Sequence, residues 1–109
     1  MRIDKRALHS SMREASREQL NDIWPDVREY IEAENRKLVE TLKMIELLKA
    51  NNRIDETTAK SLLEGQKLVG KTLLLSVEGL TLIMIERTLN AALDSVREAV
   101  NTVLNFELL

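Results

Sequence analysis

The sequence contains no cysteine, and among its 109 residues it has one proline, three glycines and one histidine. Without cysteine the chain forms no disulfide framework, no thiol nucleophile and no cysteine-based zinc site. The histidine, His9, lacks the Glu-x-x-His spacing of di-metal helical bundles, and Ser10 and Ser11 merely adjoin it in sequence. We therefore predict no catalytic residues, no metal site, no cofactor and no enzymatic activity.

Aromatic residues and excess charge are also scarce. Trp24, Tyr30 and Phe106 are the only aromatics, and 16 basic residues against 18 acidic ones leave a net charge of −2. A general nucleic-acid binder usually carries a basic excess on one face, so we predict no nucleic-acid partner. Basic side chains do gather in residues 1–17, where the pattern favours a solvated helix face. Lacking cysteine and an apolar leader at its start, the sequence gives a cytoplasmic location as the default expectation.

Leucine, alanine, glutamate, lysine and arginine dominate, and no run of alternating β-branched residues suggests a strand. The pattern predicts one all-α domain, 1–109, with three helices. A helix with a thin apolar stripe covers about 3–20, a second begins beside Pro25 and covers 25–50, and Asn51–Asp55 forms a turn. The third helix covers 56–107. Because the turn is short, we expect the second and third helices to form a long antiparallel hairpin.

The long third helix organises the prediction. Its last part, Leu82–Phe106, carries an apolar seam at steps of three and four residues, while Leu68–Ile85 is apolar on nearly every side. Such a segment needs neighbours all round, so we predict a homo-oligomeric bundle, a dimer being favoured, with a helical partner protein as the alternative. A break near Gly79 is the alternative to a continuous helix. The predicted interface residues are Leu73, Leu80, Leu82, Ile85, Leu89, Val96, Val103 and Phe106.

One string carries a possible chemistry. Residues 65–72 satisfy the pattern G-x-x-x-x-G-K-S/T of phosphate-binding loops. The apolar run that precedes Glu86 resembles the run that precedes the magnesium-binding acidic residue in NTPases with such loops. Nucleotide (ATP/GTP) binding through Gly65, Gly70, Lys71 and Thr72 is therefore one alternative function. The loop requires a strand ahead of it, whereas residues 56–64 have a helical pattern.

A membrane role is the other alternative, because Leu68–Ile85 is rich in apolar residues. A span needs about 20 mostly apolar residues, and Lys71 and Glu78 interrupt this one. The function that the sequence favours is a non-enzymatic helical structural or protein-interaction module. It would self-associate through the apolar faces of its C-terminal helix.

Overall fold

The computed structural model describes residues 2–109, which form four α-helices and no strand. The helices are α1 (Lys5–Leu20), α2 (Trp24–Ala50), α3 (Glu56–Leu74) and α4 (Leu82–Leu104), with one 3₁₀ turn, Asn21–Ile23, between α1 and α2. The predicted all-α fold is confirmed.

Short polar side chains begin three of the helices. Asp4, Asp55 and Thr81 each accept a hydrogen bond from a backbone N–H three residues further on, at the starts of α1, α3 and α4. Each such cap contributes about 1 kcal/mol of helix stability. Pro25 lies in the first turn of α2, where its missing N–H costs nothing.

The segment predicted as one helix over 56–107 is two helices, so the continuous-helix prediction is wrong. Helix α3 ends at Leu74, and α4 begins after Thr81. Gly79 has a φ of 94°, a conformation that side-chain-bearing residues rarely adopt and that cannot continue a right-handed helix. The break near Gly79, the alternative at the sequence level, is the one that the structure contains.

The break allows α1 and α4 to pack on each other. Helix α1 makes its most extensive contact with α4 and also packs on α2, while α2 packs on α3. Leu8, Met12 and Leu20 of α1 are buried in the same core as the seam of α4. The thin stripe of α1 is therefore sufficient to cover much of the seam within one chain.

Candidate functional site

The eight predicted interface residues fall into three groups. Four lie in the chain's own core with at most 7 % of their surface exposed: Leu80, Ile85, Leu89 and Val96. Two are half-buried against that core, Val103 and Phe106. Only Leu73 and Leu82 are largely exposed. The apolar surface available to another molecule is therefore not the seam of α4.

One such surface lies on α3. At about 100° per residue, six exposed residues share an arc of about 140° that contains no charged side chain. They are Leu62, Gly65, Leu68, Val69, Thr72 and Leu73, named here the outer face of α3. Leu62, Leu68, Val69 and Leu73 are each 44–62 % exposed. The charged residues of the helix lie elsewhere on its circumference: Glu56, Lys60, Glu64, Lys67 and Lys71.

A groove of about 760 Å³ borders this face, between α2 and the loop after α3. Leu73 and the exposed ring of Tyr30 line it together with the carboxylates of Asp26, Glu34 and Glu78. The groove extends the apolar surface beyond α3 and gives it one acidic edge.

Two glycines of α3 have opposite surroundings. A Cβ atom at Gly70 would lie 2.9 Å from Oε1 of the buried Glu34 side chain, whereas a Cβ at Gly65 would meet nothing within 4 Å. Packing within the chain therefore accounts for Gly70 and not for Gly65. The apolar pattern of the sequence does not distinguish Gly65 from Gly70, because the residue that distinguishes them, Glu34, lies on α2.

The phosphate-loop string lies inside α3, and its backbone N–H groups are those of a helix interior. The Thr72 hydroxyl donates to the Leu68 carbonyl at 2.9 Å, and the Lys71 ammonium lies 3.9 Å from a Glu86 carboxylate oxygen. Gly65, Lys71 and Glu86 do line one shallow groove between α3 and α4. Within residues 2–109 no strand delivers the string, so it does not form the turn that cradles phosphates.

Other features bear on the remaining alternatives. Over the described part of the chain, no three His, Asp or Glu side chains are grouped so as to hold a metal ion. None of the helices seen in residues 2–109 combines the length and the apolar character required to cross a bilayer.

Comparisons of the chain with protein-family models, curated proteins and solved structures give no match.

Proposed function

We propose that this protein is a non-enzymatic protein-interaction module that self-associates through the outer face of α3. The observation that carries the proposal is the uncharged, largely exposed apolar surface of that face. Contiguous apolar patches rimmed by polar residues are typical of protein contact sites. The antiparallel arrangement of α2 and α3 is part of the same proposal, supported by their short connection.

Gly65 supports a close approach by another helix. A glycine inside a helix costs about 1 kcal/mol relative to alanine, and nothing within this chain requires its missing side chain. A second helix whose backbone came near Gly65 would require it. Thr72, also small, lies two turns further along the same face.

A second copy of the chain fits this face better than an unrelated helix, because the face is complementary to itself. In an antiparallel pair with its two-fold axis at Val69, Leu73 of one copy lies over Gly65 of the other. The same symmetry places Leu62 over Ser76, which follows α3. Leu73 and Leu62 thus each meet a small residue, as close packing of two helices requires, while Val69 meets its own copy at the axis.

The expected dimer is weak. Helix α3 has 19 residues and is about 28 Å long, and a contact strip about 10 Å wide buries about 300 Å² per copy. Stable interfaces bury about 800 Å² per partner, so we expect a dissociation constant on the order of 10–100 µM. Tyr30, beside the outer face, adds area if the contact widens.

The test is sedimentation velocity between about 5 and 500 µM, a range chosen to span the expected dissociation constant. The wild-type chain should shift from monomer to dimer, and Val69→Glu should stay monomeric because two charges would meet at the axis. Met44→Glu, at an equally exposed apolar residue of α2, is the matched control and should still dimerise.

A chain that stays monomeric over the whole range contradicts the proposal, as does equal loss of dimer in both variants. Saturable ATP binding that Lys71→Ala abolishes would favour the phosphate-loop alternative. Partitioning into phosphatidylcholine vesicles without a partner would favour the membrane alternative.

A further inference from the structure

A second groove lies between α1 and α2, away from the outer face of α3. Its volume is about 670 Å³. Helix α1 lines it with Lys5, Arg6, His9, Ser10 and Arg13, and α2 with Glu32, Asn35 and Arg36. Four cationic side chains therefore surround one groove on a protein whose net charge is −2.

Two of these cations already have partners. The Lys5 ammonium lies 2.9 Å from a Glu40 carboxylate oxygen, and Arg13 Nε lies 2.6 Å from one of Glu32. Arg6 and Arg36 form no ion pair with any residue in 2–109. The Glu32 carboxylate, which also lines the groove, is paired with Arg13 and Arg28. The groove thus presents two guanidinium groups outside any ion pair, each able to bind an oxyanion through two parallel hydrogen bonds.

His9 lies in the groove among these charges. Its imidazole is half-buried, and partial burial, followed by the charge of Arg36, lowers its pKa. Arg13 and Lys5 act in the same direction, while Glu40 opposes them. An anion in the groove would offset these charges and make protonation of His9 easier.

Buried polar contacts hold α1 and α2 together beneath the groove. The Asn35 amide donates to the Ser16 hydroxyl at 3.1 Å, and that hydroxyl donates to the Met12 carbonyl at 2.8 Å. Ser16 and Asn35 are at most 3 % exposed. The helix positions from which Arg6 and Arg36 extend are therefore set by the fold before any ligand arrives.

We propose that the α1–α2 groove binds a small phosphorylated molecule, whose phosphate is held by Arg6 and Arg36. This site is independent of self-association, since its residues lie on α1 and α2 and not on the outer face of α3. His9 strengthens the interaction when it is protonated, so binding tightens as the pH falls through the titration range of His9.

The test uses inorganic pyrophosphate as the probe. Because His9 is the only histidine, its ring C–H resonances in proton NMR report the site directly. With ionic strength held constant by NaCl, pyrophosphate should shift them saturably and should raise the pKa of His9. Arg36→Gln should weaken the binding at least about tenfold, the loss expected from one charge-assisted pair. Without ligand, the same variant should raise the pKa of His9.

Arg87→Gln, at an exposed arginine of α4, is the control and should bind pyrophosphate as the wild-type chain does. The proposal is overturned if pyrophosphate causes no saturable shift, or if NaCl alone reproduces it. Equal affinity in Arg36→Gln and the wild type also overturns it. So does binding only to vesicles containing phosphatidic acid, which would identify a lipid headgroup and not a free phosphorylated molecule.

Discussion

Oε1 of Glu34 lies 2.9 Å from the position that a Cβ atom would take at Gly70. This oxygen is buried without a hydrogen-bond partner, while Oε2 of the same carboxylate accepts from the Lys37 ammonium at 2.8 Å. The side chain of Glu34 therefore fills the space that the missing side chain of Gly70 leaves, and α2 and α3 meet closely at this point.

We expect alanine to have different effects at the two glycines of α3. Gly65→Ala should raise the free energy of unfolding of the monomer by about 1 kcal/mol, because it improves helix propensity without a clash. In Gly70→Ala the cost of moving the buried Glu34 carboxylate should equal or exceed the gain in helix propensity, so that the free energy of unfolding does not rise. Urea unfolding at protein concentrations too low for dimerisation measures the free energy of unfolding of both variants.

A double-mutant cycle with Glu34→Ala isolates this contact. In the Glu34→Ala background, Gly70→Ala should recover the stabilisation seen at Gly65, because the clashing oxygen is gone. An unchanged effect of Gly70→Ala in both backgrounds would show that Glu34 is not the cause.

Gly65→Ala also separates stability from assembly. If a partner helix approaches Gly65 closely, the variant should be more stable as a monomer and yet dimerise more weakly in sedimentation velocity. A variant that is more stable and dimerises as well as the wild type would contradict the proposed close approach.

The loop between α3 and α4 should depend on Gly79. Because this residue has a φ of 94°, Gly79→Ala should lower the free energy of unfolding by about 1–2 kcal/mol. Gly79→Asn should cost less, since asparagine tolerates positive φ better than alanine. Urea unfolding of both variants gives the comparison, and equal stability of Gly79→Ala and wild type would contradict the positive φ of Gly79.

Acid should lower the stability of the fold by protonating Glu46, which binds the start of the chain at Ile3. Its carboxylate accepts from the Ile3 N–H and pairs with the Lys43 ammonium, each at 2.7 Å. Partial burial opposes ionisation, but these two hydrogen bonds and the positive charges of Lys43 and Arg2 together outweigh it and lower the pKa of Glu46. The contribution to stability is therefore complete above about pH 4.5, the ordinary glutamate value, and is lost as the pH falls through the lower folded-state pKa.

Glu46→Gln should cost about 1–2 kcal/mol in urea unfolding at pH 7, since it weakens charge-assisted hydrogen bonds. The difference from wild type should shrink towards pH 3. Glu29→Gln, at an exposed glutamate of α2, is the control and should change stability little at either pH. A cost of Glu46→Gln that does not depend on pH would exclude this linkage.

Local patterns predicted most of the helices. The proline at the start of α2, the turn over Asn51–Asp55 and the apolar seam of α4 are all signals within a few residues of the elements that they define. The break at Gly79 had a local signal too, but the apolar pattern continues on both sides of it. A periodic apolar pattern does not show whether its residues belong to one continuous helix or to two.

The candidate surface could not be predicted, because it depends on what covers α4. Helix α1 has only a thin apolar stripe in the sequence, yet Met12 is fully buried in the common core. Once α1 covers the seam, α3 is left with four exposed large apolar residues on one face, while the seam of α4 is buried. Which helix faces solvent is a tertiary property, and neighbouring residues in sequence do not determine it.

The packing of α1 on α4 has a consequence for biosynthesis. Helix α1 ends at Leu20 and α4 begins only at Leu82, and each buries its apolar side mainly on the other. A nascent chain on the ribosome can form α1 early but cannot complete its core until α4 has left the exit tunnel. Folding must then close a long loop, which slows it and leaves Leu8 and Met12 open to chaperones during synthesis.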